Sequence, residues 1–328
     1  MTGRSRRPLR AWAALALLLF LGTFIWPEPV DPPPAESEPL PLTLAPLAAP
    51  PGASAGPLRY VEGWRLGSAH PHFGGISALH VEGGRVVALS DSGLLFEFPV
   101  PQGDSASGTL RPLPGRVHQG AHKTSRDTEA LVVSRQAAWA TFEVRNAVAR
   151  FDPGLAELEA RRRPRAMRGW PHNGGAEAMV RLADGRFLIF SERERGPEGA
   201  LALLLFGDDP AAAASRATNL GYRPPPGYRP TDAALLPDGR LLVLNRRFSI
   251  FGGFSAALLL ADLPPLRQGT VISGRVIAAS GGAFPKGNFE ALAVSEEKDG
   301  LTIWLATDDN FVARYQRTLL LRYAWEPP

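Results

Sequence analysis

From about Pro57 onward the apolar residues fall in short runs broken by glycine-containing or polar turns, and the runs recur. Five segments open with a small or acidic residue followed by alanine and a large apolar residue: Ser77-Ala78-Leu79, Glu129-Ala130-Leu131, Glu177-Ala178-Met179, Asp232-Ala233-Ala234-Leu235 and Glu290-Ala291-Leu292. Their first residues lie 52, 48, 55 and 58 positions apart. Asp184-Gly185 and Asp238-Gly239 follow the third and fourth copies, and Gly83-Gly84 and Asp299-Gly300 take the same place in the first and fifth. The second copy departs, with Ser134-Arg135-Gln136. Each turn leads into a second β-rich run, such as Phe187-Leu188-Ile189-Phe190 or Thr302-Ile303-Trp304-Leu305. Two apolar runs joined by an Asp-Gly turn predict a β-hairpin.

A third run follows in every copy, for example Leu94 to Phe98 and Thr318 to Tyr323, and a fourth, such as Gly274 to Ala279, precedes the next copy. Four antiparallel strands per repeat of this length describe a propeller blade. The chain ends after a third-type run and the repeat region begins with a fourth-type run, Leu58 to Leu66. The first strand is therefore expected to complete the last blade and close the ring. The predicted fold is all-β, a β-propeller spanning residues 57–328, with five blades counted and six left open. An all-β sandwich would not call for five similar hairpins.

The preceding residues differ. Arg4, Arg6, Arg7 and Arg10 stand before an uncharged apolar run, Ala11 to Trp26. That is the signature of an export signal. The run lacks a good small-x-small cleavage site, so residues 1–26 are expected to remain as an inner-membrane anchor with the arginines in the cytoplasm. The domain would then be periplasmic, and cleavage to a soluble periplasmic or secreted protein is the alternative. Residues 27–56 hold ten prolines and read as an extended, semi-rigid linker.

The chain has 328 residues, 45% of them hydrophobic, and no cysteine. A disulfide, a thiol nucleophile and a Cys-ligated metal are excluded. The net charge of +4 comes from a basic complement that is almost wholly arginine, with only Lys123, Lys286 and Lys298 as lysines. No basic stripe with interleaved aromatics appears, so nucleic acid is not an expected partner. No Walker A loop, dinucleotide fingerprint, HExxH or EF-hand loop is present. A monomer is the expected state.

In a propeller the start of the innermost strand and the end of the second share one face. Asp127, Glu129, Glu177, Asp232 and Glu290 fall at inner-strand starts. Asp91, Glu143, Arg145, Glu192, Arg193, Arg246, Arg247, Asp308, Asp309 and Asn310 fall at the ends of returning strands. His70, His72, His118, His122 and His172 lie in loops entering the same face. Carboxylates converging on a narrow axis repel unless a cation or arginine neutralises them. Oxygen ligands of this kind suit Ca²⁺ or Mg²⁺, or Mn²⁺, better than zinc. Arginines beside such an ion suit a small anionic substrate such as a phosphate ester. The alternative is that these acids accept hydrogen bonds from loop backbones and hold the blades together.

Phe73-Gly74-Gly75-Ile76-Ser77-Ala78-Leu79, Ser90-Asp91-Ser92-Gly93, Asp127-Thr128-Glu129-Ala130-Leu131, Asn173-Gly174-Gly175-Ala176-Glu177-Ala178, Pro230-Thr231-Asp232-Ala233, Asn288-Phe289-Glu290-Ala291-Leu292 and Thr307-Asp308-Asp309-Asn310-Phe311 together resemble the phytase-like domain family. Ala78 and Ala130 stand where that family often has glycine, and Ser92 where a basic residue is common. The resemblance implies an exported propeller that hydrolyses phosphate or carboxyl esters, with calcium held by carboxylates. The matching carboxylates are Asp127, Glu129, Glu177, Asp232 and Glu290, the expected metal ligands, with Asp308 and Asp309, which together with the rim arginines Arg246 and Arg247, placed to hold phosphate oxygens, are the expected catalytic residues. Two other readings stand beside this one. One is a non-catalytic propeller that binds an envelope ligand or a protein partner, and the other is carboxyl-ester hydrolysis through Ser77.

Overall fold

The computed structural model describes residues 34–50, 56–115, 126–282, 284–311 and 316–326. The first two strands are β1 (Glu38–Pro46) and β2 (Leu58–Gly67). Four-stranded antiparallel meanders follow. The first is β3 (Ile76–Glu82), β4 (Arg85–Ser90), β5 (Leu94–Pro99) and β6 (Ser105–Pro112). The second is β7 (Thr128–Val133), β8 (Ala138–Phe142), β9 (Ala147–Phe151) and β10 (Leu158–Arg162). The third is β11 (Ala176–Arg181), β12 (Phe187–Arg195), β13 (Leu201–Phe206) and β14 (Ala217–Tyr222).

The fourth meander contains β15 (Arg229–Leu235), β16 (Leu241–Ser249) and β17 (Gly253–Ala261). The short β18 (Val271–Ile272) pairs in parallel with β14, and β19 (Arg275–Ala279) completes the fourth sheet. Finally β20 (Phe289–Glu297), β21 (Gly300–Thr307) and β22 (Thr318–Trp325) take β2 as their fourth strand, with Leu58 opposite Trp325 and Leu66 opposite Thr318. This is the ring closure that the bookend runs predict.

Packing confirms the circular order. The innermost strands β3, β7, β11, β15 and β20 contact one another in sequence, and β20 contacts β3. Each apolar cluster is shared by two neighbouring meanders. Leu89 and Leu95 meet Phe142 and Phe151, Trp139 meets Phe187 and Ile189, and Phe190 and Leu203 share a cluster with Val243 and Leu259. Leu258 joins Ile303 and Tyr323, and Trp304 returns to Leu79 and Phe96. Apolar side chains on both faces of these strands explain the near-continuous hydrophobic runs. Gly185 and Gly239, with φ of 89° and 86°, take the left-handed position that the Asp-Gly turns require.

The linker expected over 27–56 needs correction. Glu38–Pro46 is a strand that pairs with both β2 and β6, the outer strands of the last and first meanders. Leu40, Leu42 and Leu44 alternate inward into the cluster holding Trp304 and Phe96. Pro39 and Pro41 occupy the exposed positions between the leucines, on the stretch that pairs with β6 alone, so their missing N–H groups fall on the side without a partner strand. The apolar run 11–26 lies outside the described residues. Among the described residues no helix is long and apolar enough to cross a membrane.

Candidate functional site

Every inner strand slips register at the same place. The ladder steps from Ile76 to Ala78, from Thr128 to Leu131, from Ala176 to Ala178, from Pro230 to Asp232 and from Phe289 to Ala291. Such bulges release a residue from pairing and re-aim it. The released residues are Ser77, Glu129 with Ala130, Glu177, Thr231 and Glu290. Two are hydroxyls that clamp neighbouring strands. Ser77 Oγ lies 2.7 Å from the Thr128 carbonyl and Thr231 Oγ1 lies 3.1 Å from the Phe289 carbonyl. The other three are glutamates.

A second ring follows from the returning strands. The residue after the partner of each pre-bulge position is Asp91, Glu143, Glu192, Arg246 or Asp308. Together the two rings set seven carboxylates and the Arg246 guanidinium at one end of the inner strands. Arg246 Nη1 bonds Glu290 and, at 3.0 Å, Asn288 Oδ1, while Nη2 lies 3.3 Å from Glu192 Oε1. Glu192 is also held by Arg193 at 2.9 Å. Glu129 and Glu177 bond no arginine among the described residues. One oxygen each of Asp127, Glu129 and Glu143 lie within 4.8 Å of one another.

Burial and crowding set the charge state of this ring. Burial, then Asp127, Glu143 and Glu290, push the Glu129 carboxyl well above its ordinary range. Burial, then Glu129, Glu143 and Glu192, do the same to Glu177, and burial, then Asp91 and Glu290, to Asp308. Glu290 is raised to about 7, because burial together with Glu192 outweighs the attraction of Arg246. Burial opposes the charge on Arg246, but Glu290, Glu177 and Glu192 more than offset it and hold the guanidinium ionised.

A pH dependence follows. Between the ordinary glutamate value and about 7, Glu290 is protonated in the folded metal-free protein and ionised in the unfolded chain. The folded state then binds the extra proton, so stability falls as pH rises, by about 3 kcal/mol for this group. Thermal melts in EDTA at pH 5, 6, 7 and 8 should show a descending midpoint. A flat or rising midpoint over pH 5–7 would contradict this account of the ring.

The other expected site residues are placed differently. Asp232 does not share the position of the glutamates, because Thr231 occupies the bulge of the fourth meander. Its carboxylate instead accepts the Ala233 N–H at 2.8 Å and the Leu292 N–H at 2.7 Å, joining two meanders. Asp309 is likewise committed to the Gly75 and Phe311 N–H groups and the Thr318 hydroxyl. Asp308 keeps its place in the ring but accepts the Asn310 N–H at 2.6 Å. Arg247 is exposed and lies over the Tyr228 ring at 4.8 Å. Ser77 is buried with its hydroxyl bonded to two carbonyls and to no imidazole among the described residues, which speaks against the serine-nucleophile reading; His118 and His122 lie outside those residues. His70 and His172 bond Glu38 and the Val144 carbonyl rather than the ring. Glu143, Glu192 and Asp91 were legible as rim residues but not as partners of the inner glutamates. The signal that could have found them is their common place one residue beyond each returning strand.

The family described as phytase-like, esterase-like activity of phytase, matches residues 71–311 of this chain. The chain belongs to the phytase-like family. That span contains all seven ring carboxylates. No curated protein matches the phytase-like chain. Among solved structures it is similar to glutaminyl cyclase of Myxococcus xanthus, at 12% identity and a TM-score of 0.46, covering 82% of this chain and 96% of that one. It is also similar to a putative gluconolactonase, at 14% identity and a TM-score of 0.44, covering 92% and 97%. The allergen Mala s 1 of Malassezia sympodialis matches at 10% identity and a TM-score of 0.44, covering 85% and 92%.

Proposed function

We propose that this phytase-like protein is a five-bladed propeller that hydrolyses phosphate esters with a divalent cation, Ca²⁺ first, held on Asp127, Glu129 and Glu143 with Glu177 beside them. The observation that carries the proposal is the gathering of three carboxylate oxygens within 4.8 Å of one another, from the half-buried Asp127 and Glu129 and the buried Glu143. Oxygen donors of this number and hardness fit Ca²⁺, Mg²⁺ or Mn²⁺. When bound, such an ion neutralises the ring and polarises a phosphoryl oxygen. Arg246 fixes Glu290 and Glu192 in place. Arg193 and Arg247, both exposed at the rim, are cations available to an incoming anion. Glu290, near 7, is suited to accept and return a proton at neutral pH. Residues 11–26 would hold this domain at the periplasmic side of the inner membrane.

A second reading, a non-catalytic propeller that binds an envelope ligand or a protein partner, is favoured by one observation. Asp232, Asp308 and Asp309 are occupied by hydrogen bonds that join loops and meanders.

Melting the protein in EDTA and then in millimolar Ca²⁺, Mg²⁺ or Mn²⁺, followed by a phosphoester panel with the effective ion, separates the two. Occupancy at 100 times the dissociation constant adds about 2.7 kcal/mol, or about 5–10 °C. Glu129→Gln should abolish the shift and the hydrolysis while raising the metal-free midpoint at neutral pH, since the cost of protonating a crowded carboxyl on folding is removed. An ion-selective shift without phosphoester turnover would favour the binding module. No shift with any ion would sink the cation site.

A further inference from the structure

The β16–β17 hairpin extends three residues beyond Arg246, paired as far as Ser249 with Gly253. Its tip carries Phe248, Ile250 and Phe251 at 61%, 86% and 104% exposure, an unusual cost for a rim otherwise built of charge. Beside it lies a cleft of about 690 Å³ between the fourth and fifth meanders. The walls are largely apolar, formed by Leu47, Tyr60, Phe254, Phe284 and Leu319. Asn288 and Asp308, both tied to the charged ring, also line it. Lys286 and Arg317, both exposed, contribute the positive charge. Lys286 Nζ lies 3.4 Å from the Gly252 carbonyl, linking the loop before β20 to the hairpin.

We infer that this cleft holds the apolar group of an anionic amphiphile, an alkyl or aryl ester whose acidic head faces Lys286, Arg317 and the ring. A cleft of this size takes an organic group rather than an ion. Its composition argues against a compact polyanion, which would give up hydration against aromatic and aliphatic walls without compensating hydrogen bonds. The two cations match a single anionic head, and the apolar walls match the chain behind it. This assignment rests on the phosphate-ester reading of the ring for the identity of the head, and the cleft itself supplies the tail.

The test uses the full chain and a series of n-alkyl phosphates from ethyl to hexyl, which stay monomeric in water, with binding measured by calorimetry. Affinity should tighten about fourfold per methylene as each enters the cleft. Ala49→Trp, at an exposed lining position, should flatten the series without disturbing the core. The double variant Lys286→Ala, Arg317→Ala should weaken every phosphate about tenfold and leave hexanol unchanged. A flat series, or a steep one indifferent to Ala49→Trp, overturns the assignment. Ca²⁺-induced melting shifts read on the same samples keep the two proposals apart. A shift with a flat series defeats the cleft alone, and a steep series without a shift upholds the cleft and defeats the cation site.

Discussion

Arg246→Met should destabilise the metal-free protein by about 3–5 kcal/mol, the usual cost of leaving buried carboxylates without their cation. At about 2–4 °C per kcal/mol for a domain of this size, the melting midpoint drops by about 10 °C. The reason is local. Glu290 and Glu192 bond the guanidinium directly, and Glu177 and Glu129 feel its charge. Arg246→Lys, which keeps charge but loses the planar fork, should recover part of the loss. A divalent cation should rescue Arg246→Met by more degrees than it adds to the parent, because the variant ring carries one more uncompensated negative charge. A midpoint in EDTA equal to the parent's would show that the acids do not depend on this arginine.

The second large effect lies outside the ring. Asp232→Ala strips the acceptor from the Ala233 and Leu292 N–H groups, leaving two buried donors unsatisfied. At about 1–3 kcal/mol each, the loss is about 2–6 kcal/mol, a fall of about 10 °C at the middle of that range. Asp232→Asn, which keeps one amide oxygen, should fall between. In both variants the cation-induced shift should survive, which separates a strut between meanders from a ligand. Loss of the shift with little change in metal-free stability would return Asp232 to the ligand set.

These two residues also mark where sequence was informative and where it was not. The hairpins, their order and the closing pair of β2 with β22 could be read because each strand is a short apolar run and four of the five inner turns carry a glycine, the Ser134-Arg135-Gln136 turn being the exception. The gathering of acids at one end followed from strand direction alone. The frame within the fourth copy did not. Both Asp232-Ala233 and Glu290-Ala291 satisfy the acid-alanine pattern, yet the bulge falls on Thr231 in one and on Glu290 in the other. A one-residue shift in register moves a side chain from the ring to the seam between meanders. Strand β1 was hidden for another reason. Ten prolines across residues 27–56 outweighed the alternation of Leu40, Leu42 and Leu44 that buries them. Asp308-Asp309 read as one tandem feature, but adjacent residues on extended backbone face opposite ways. One therefore sits in the ring and the other on the Gly75 loop.

The most direct test of the cation site is anomalous diffraction from crystals of the protein soaked in Mn²⁺. The account predicts a single strong peak in the ring bounded by oxygens of Asp127, Glu129 and Glu143, lost in Glu129→Gln. A ring without a peak at saturating Mn²⁺, its carboxyls bonded to one another and to Arg246, would contradict it.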